Sequence, residues 1–269
     1  MHYPEAEKPE ANGGHYDQTG HLVRYESCGV TPENLEKADI AIIVDVLSFS
    51  TCVDIGVSRG AKIYPYPWKG EAAAGYAASV GAVLAGKRDD ACAMAMPARY
   101  NLSPASLLDI PSEYRLVLPS PNGSTLAFQA RDKGCLVVAG CLRNARAIGR
   151  WASLAGRTIM VLAAGERRED FSLRYAHEDV YGAGAILRCM EKEMGRVVDL
   201  SPAAKSAVTT FEEAKPHLYA RLIESESGKE LLERGFPQDI ELAAQLDVSN
   251  CVPILRNGCF EAHILSSSL

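Results

Sequence analysis

The sequence predicts an α/β protein, with a largely parallel or mixed sheet flanked by helices, on three observations. Residues 40–51, IAIIVDVLSFST, form a run of strand-forming residues ended by hydroxyls, which reads as a strand buried on both faces. A unit of strand, short polar turn and helix recurs over residues 115–133, 135–153 and 158–194, the pattern of right-handed βαβ crossovers. The 269 residues, 47% hydrophobic and 23% charged, can bury a substantial core.

The first 20 residues are polar, contain Gly and Pro, and read as a loosely attached tail with no apolar core of a secretory signal. A weakly alternating strand is expected at 21–27 and a short polar helix or turn at 31–38. After the strand at 40–45, Ser48, Ser50 and Thr51 offer a natural cap for a helix over 52–59, which Gly60 closes. Residues 61–67 read as a strand, 71–83 as an Ala-rich helix and 82–85 as a short apolar segment. Residues 87–106 are the least regular part of the chain. Strands follow at 115–118, 135–139 and 158–163, each leading to a helix, the last over 178–194. Beyond Ser201 the pattern changes to two helical segments, 203–214 and 217–234, and short strands near 240–243 and 251–255. The expected organisation is therefore a tail (1–20), a main α/β lobe carrying the site (21–200), and a C-terminal lobe or flank of the same domain (201–269).

A formal charge of −6 and the absence of a long basic run argue against a nucleic-acid partner. No stretch approaches the roughly 18 apolar residues of a membrane span. The eight cysteines include no C-x-x-C pair, and most sit in apolar segments. That is the usage of buried, reduced thiols in a cytoplasmic protein.

Ligands of open α/β sheets bind outside the carboxyl ends of the strands. Those ends supply Asp45, Ser48, Ser50 and Thr51; then Asn122, Gly123, Ser124 and Thr125; then Asn144; then Glu166, Glu178 and Asp179. A charged Asp45 in an apolar strand is costly unless it is paired, metal-bound or facing a crevice. The plain alternative is a satisfied structural carboxylate beside an ordinary cap. The Asn-Gly turn permits positive φ and could present backbone N–H groups to an anion, or be a plain turn with a good cap. Asp45 with Asp179 or Glu178 could hold a hard divalent cation through oxygens. Glu178 and Asp179 equally suit a helix N-terminus for its dipole alone. Gly182-Ala-Gly184 falls inside a helix and reads as close packing rather than a dinucleotide turn. No Gly-rich turn follows a strand, which disfavours a nucleotide-dependent oxidoreductase.

Four segments in order, IIVDVLSFST, SPNGST, VAGCLRNARAI and LAAGE…EDVYGAGAI, resemble the 2-phosphosulfolactate phosphatase family over roughly residues 39–262. The resemblance implies a two-lobed α/β fold, commonly dimeric, and a Mg2+-dependent enzyme that hydrolyses a small anionic phosphate monoester to 3-sulfolactate and phosphate. Asp45 and Asp179 would hold the metal, with Glu178 and Glu166 beside them orienting water. Asn122–Thr125, Ser50, Thr51, Ser48, Asn101, Ser103 and Asn144 would contact the phosphoryl group or substrate. The chain departs from the family pattern in three places. Ser48 stands where the family usually has Arg, so Arg88 or Arg143 would have to take the substrate anion. Gly86-Lys87-Arg88 replaces Gly-Glu-Arg, and an extra residue separates Asn101 from Ser103. The alternative reading is a diverged member that binds a phospho-ligand without turning it over.

Overall fold

The computed structural model describes residues 18, 20–27, 32–67, 70–86, 88, 99–155, 157–167, 172–193 and 198–263. All of the expected tail but Gln18 and Gly20, together with Gly156, Arg168, Met194 and most of the irregular stretch before residue 99, lies outside them. The apolar runs become strands β1 (Val23–Ser27), β2 (Ile40–Val44), β3 (Lys62–Tyr66), β4 (Val83–Leu84), β5 (Arg115–Pro119), β6 (Leu136–Gly140) and β7 (Ile159–Ala163). Two short strands, β8 (Glu166–Arg167) and β9 (Leu173–Arg174), pair with each other, and β10 (Pro253–Arg256) and β11 (Cys259–Ala262) form a hairpin. Among the described residues nine strands make one sheet in the order β1-β7-β2-β6-β10-β11-β3-β5-β4. The quartet β1-β7-β2-β6 is parallel, as is the trio β3-β5-β4. The antiparallel β10–β11 hairpin joins them, so the two parallel sets run in opposite directions.

The central strand is covered on both faces, as its unbroken apolar run requires. Ile40, Ile42 and Val44 share a core with helices α5 (Ala145–Leu154), α6 (His177–Glu193) and α7 (Pro202–Ala214). Ala41 and Ile43, pointing the other way, pack with α2 (Phe49–Ser58) and α4 (Gly123–Asp132). The period of two along β2 thus sorts its side chains between two helical layers. Gly182 and Gly184 let α6 lie close to its neighbours. A Cβ on Gly182 would come within 2.6 Å of the Val46 side chain, and one on Gly184 within 2.2 Å of the Ala207 carbonyl oxygen.

Remaining elements are α1 (Pro32–Glu36), α3 (Glu71–Ser79), α8 (Leu218–Glu224), α9 (Glu226–Glu233) and α10 (Pro237–Ala243). Two expectations need correction. Residues 240–243 are helical, because Pro237 occupies the first turn of α10 and Ile240 and Ala243 are buried at helical spacing. The segment 217–234 is two helices, because Ser225 is extended (φ −65, ψ 156) and its Oγ accepts from the Gly228 N–H, capping α9.

In a flat sheet the opposed sets would put the carboxyl ends of β2 and β5 at opposite edges. Yet the Gly123 N–H, just past β5, donates to Asp45 Oδ2, just past β2, at 3.0 Å. The sheet must coil to allow this. Five steps separate β2 from β5 in the strand order, and each contributes a twist of about 20–25°.

Candidate active site

Asp45 stands at the first position after β2 and organises the turn into α2. Its Oδ1 accepts the N–H groups of Ser48 (2.9 Å) and Phe49 (3.1 Å), and its Oδ2 accepts that of Gly123. The carboxylate therefore lies between the N-termini of α2 and α4, where orphan N–H groups and both helix dipoles favour negative charge. Gly123 is required for this approach. A Cβ there would fall 2.3 Å from the Phe49 ring and 2.9 Å from Asp45 Oδ2. Burial nevertheless pushes the Asp45 carboxyl above its usual range, the three N–H bonds oppose the shift, and the Glu178 charge adds to it.

Asp179, in the first turn of α6, accepts the Val46 N–H at 2.8 Å through Oδ1 and the Gly165 N–H at 3.0 Å through Oδ2. Burial raises its carboxyl well above the usual range, and Asp45 and Glu178 raise it further. The contact with Val46 puts the Asp45 and Asp179 carboxyls less than roughly 9 Å apart, from covalent lengths along the chain. Glu178 is buried beside them. Glu166, in β8, completes the group. Its carboxyl is pushed up to about 7, by burial first and the Asp45 charge second, while a hydrogen bond with Asn122 and the Arg174 charge pull it down.

Asp45, Ser48, Asn122 and Glu166 line one cleft of about 600 Å3 together with Arg88, Glu71, Glu230 and Arg234. Apolar wall comes from Leu47, Ala74, Leu84 and Leu231 among others. Arg88 is fixed from three sides. Its Nη2 donates to Ser48 Oγ and to the Leu102 carbonyl oxygen, and its Nε faces Asp239 Oδ2 at 3.5 Å. Asp239 is in turn held through Oδ1 by Ser103 Oγ (2.5 Å) and the Ala105 N–H (3.1 Å). The Arg88 guanidinium thus stands at Ser48. Arg143 lies elsewhere, bound to Asp54 at 3.0 Å and to Gln245.

Several other candidates face inward. Ser50 Oγ donates to the Ile43 carbonyl (2.9 Å) and Thr51 Oγ1 to that of Val46 (2.8 Å). Ser124 Oγ donates to the Leu118 carbonyl (3.3 Å) and Thr125 Oγ1 to that of Pro121 (2.6 Å). A hydroxyl has one proton to give, so these four brace the turns that carry the site and keep no donor for a phosphoryl oxygen. Asn144 closes the turn after β6, accepting the Cys141 N–H at 2.9 Å and donating to the Ala139 carbonyl at 3.3 Å. Asn101 and Ser103 support the loop that carries the Leu102 carbonyl, and the Asn101 N–H donates to Ser106 Oγ at 3.1 Å. His177 is exposed and packs on Tyr175 and Tyr181. The Cys141 thiol is pushed up to about 12 by burial, which leaves no thiolate for nucleophilic chemistry.

Sequence reasoning passed over Asp239, Phe236 and Arg234. Pro237 at a helix start, with Asp239 in the first turn, was the available signal. Among the described residues no group of three or more His, Cys, Asp or Glu side chains is arranged to hold a metal ion. Mg2+ needs less, since it commonly takes one or two carboxylates and fills its octahedron with water and phosphate oxygens. Asp45 Oδ2 and both Asp179 oxygens each accept a single backbone N–H, so each keeps a lone pair for a hard cation. The donor set fits Mg2+.

Comparisons with known proteins identify the family of the chain. The 2-phosphosulpholactate phosphatase family model matches residues 28–258. A probable 2-phosphosulfolactate phosphatase of Carboxydothermus hydrogenoformans is 28% identical over 82% of this chain and 89% of its own length. The 2-phosphosulfolactate phosphatase of Methanothermobacter thermautotrophicus is 25% identical over 85% and 92%, respectively. A probable one of Thermus thermophilus is 27% identical over 86% and 94%. With a match across most of its length, this chain belongs to the 2-phosphosulpholactate phosphatase family, and with it to the phosphoric monoester hydrolases.

Proposed function

We propose that the chain is a Mg2+-dependent phosphatase of a small anionic phosphate monoester, of the kind its relatives are named for, releasing 3-sulfolactate and phosphate from 2-phosphosulfolactate. One observation carries the reading: Asp45 and Glu166 line one cleft, Asp179 and Glu178 are buried beside Asp45, and the Asp45 charge raises the proton affinity of both Glu166 and Asp179. Buried like charges of this kind are costly without a cation. Asp45 and Asp179 would hold Mg2+, which when bound withdraws charge from the phosphoryl oxygens and lowers the pKa of a coordinated water.

The chain's own residues do the rest. Asp45 has three backbone N–H donors on its oxygens, which blunts it as a covalent nucleophile and favours water as the attacking group. The water oxygen forms the new P–O bond as the ester P–O bond breaks. Glu166, with a carboxyl near 7, passes a proton to the departing alkoxide oxygen and recovers one from the attacking water, as a group poised at the working pH can. Arg88 meets the substrate anion at Ser48, supplying the cation that Ser48 does not.

Phosphate release from 2-phosphosulfolactate by protein stripped of metal and then titrated with MgCl2 tests the reading. Turnover that appears only with Mg2+ is expected. Binding without turnover would instead establish a phospho-ligand-binding member of the family.

A further inference from the structure

The groups that fix Arg88 at Ser48 trace back to one carboxylate far along the chain, Asp239 in the first turn of α10. Asp239 is 1% exposed, and its two oxygens have different partners. Oδ2 faces Arg88 Nε at 3.5 Å. Neither of those two atoms makes a hydrogen bond among the described residues, so the contact between them is one of charge. Oδ1 accepts from Ser103 Oγ at 2.5 Å and from the Ala105 N–H at 3.1 Å. Ser103 precedes the short 3-10 turn Pro104–Leu107 and follows Leu102, whose carbonyl oxygen accepts from Arg88 Nη2. Among the described residues, one carboxylate thus governs both Nε, directly, and the Leu102 contact of Nη2, through the backbone. Ser48 Oγ supplies the other contact of Nη2. The Phe236 ring, just before α10, lies against the guanidinium with its centroid 5.4 Å from Cζ.

A buried ion pair is poor evidence for stability, because taking two charges out of water costs about as much as their attraction returns. The Arg88 and Asp239 side chains are 10% and 1% exposed, so that cost is nearly complete here. The loop at 102–105 does not require a charge, since a neutral acceptor at position 239 could also take the Ser103 and Ala105 hydrogen bonds. What a carboxylate adds is a grip on a cation. A guanidinium is planar with fixed donor directions, so holding Nε and Nη2 settles where the whole group points. Arg88 and Ser48 line the cleft beside Asp45, whereas Asp239 is not among the lining residues.

We infer that Asp239 is a positioning residue of the active site, which acts through Arg88 by orienting its guanidinium at Ser48 and so makes α10 part of the catalytic apparatus. The inference rests on the proposed phosphatase reading and deepens it, because it gives the C-terminal flank of the chain a role in turnover as well as in folding.

A double-mutant cycle of Asp239→Asn and Arg88→Gln tests this, read as kcat/KM for Mg2+-dependent phosphate release from 2-phosphosulfolactate. Asn keeps the size of the side chain and an acceptor for Ser103 and Ala105 but removes the charge. With Arg88 present, Asp239→Asn should lower kcat/KM at least about tenfold, the scale of a mis-set group near the reacting atoms. In the Arg88→Gln background the same change should cost less than about twofold, because the group it orients is gone. Asp239→Glu, which restores the charge, should recover part of the loss. Equal losses in the two backgrounds, or none in either, would overturn the inference, since a residue that only braces the loop acts with or without Arg88. If Asp239→Asn does not fold, Ser103→Ala decides, because it loosens the carboxylate and leaves its charge. A loss of about fivefold that needs Arg88 supports the inference, and no loss, or one independent of Arg88, overturns it. If wild type releases no phosphate, the phosphatase reading fails, and calorimetric Kd values for 2-phosphosulfolactate across the same cycle decide the inference separately. Binding weakened about tenfold only where Arg88 is present supports it, whereas equal weakening, or no binding to wild type, overturns it.

Discussion

In the proposed reaction Glu166 would hold the proton on which the chemistry turns, and its environment makes its contribution to stability pH-dependent. Its carboxyl rises from a usual 4.5 to about 7 in the folded protein. Between those values the native state keeps a proton that the unfolded chain has released, so native stability falls as pH rises toward and through 7. The contribution is fully present below 4.5 and lost above about 7. In metal-free protein, Glu166→Gln should flatten the fall in Tm between about pH 5 and about pH 8, while the raised Asp45 and Asp179 still contribute their share. An unchanged slope in that variant would assign the titration to other groups. Residues of this kind were legible in the chain only in part. Asp45 stood out because a carboxylate in an apolar strand needs a reason, and Asn122-Gly123 because few residues suit such a turn. The hydroxyls of Ser50, Thr51, Ser124 and Thr125 were equally visible, but composition does not say which way a hydroxyl points, and backbone carbonyls a few residues back claimed them. Asp239 was invisible as a partner of Arg88 because nothing local links positions so far apart.

Elements meet at this site through one close approach, that of α4 to α2. Gly123 lies under the Phe49 ring and against Asp45. Gly123→Ala should cost about 1–3 kcal/mol, the usual penalty for forcing a side chain into a packed contact, and should weaken stabilisation by Mg2+ because Asp45 must move. Gly75, in α3, is the control. A Cβ there meets nothing within 4 Å, so Gly75→Ala should be neutral or stabilising by up to about 1 kcal/mol through helix propensity. Urea unfolding of the two variants separates packing from propensity, and equal behaviour would refute the packing account. The βα units were readable from strands, turns and helix periods because those signals are local. The C-terminal elements were less so. Ile240 and Ala243 suit a strand or a helix until Pro237 is counted. The turn Asn257-Gly258, with φ of 50 and 85, carries the strongest short signal for a hairpin, yet its position in the sheet depends on pairing with β6 and β3 from far upstream.

At the scale of the molecule, the β10–β11 hairpin holds the sheet together. Among the described residues it alone connects β6 to β3 in the strand order, and the coiling of that sheet brings the ends of β2 and β5 to one point. A chain ending at residue 250 should therefore lack a cooperative unfolding transition. Cooperative unfolding of that truncated chain would show that the two parallel sets hold without the hairpin. Among the described residues no helix is long and apolar enough to cross a membrane, and the cleft sits where a coiled α/β sheet gathers its strand ends. Asp45, at that gathering point, is the residue proposed to hold the metal for phosphoryl transfer. The most direct measurement is phosphate release from 2-phosphosulfolactate by wild type and Asp45→Asn, each with and without Mg2+. Asn keeps the size of the side chain but loses the charge, so the account predicts Mg2+-dependent turnover in wild type and a loss of at least about a hundredfold in the variant. Turnover in Asp45→Asn equal to wild type, or wild-type turnover indifferent to Mg2+, would contradict it.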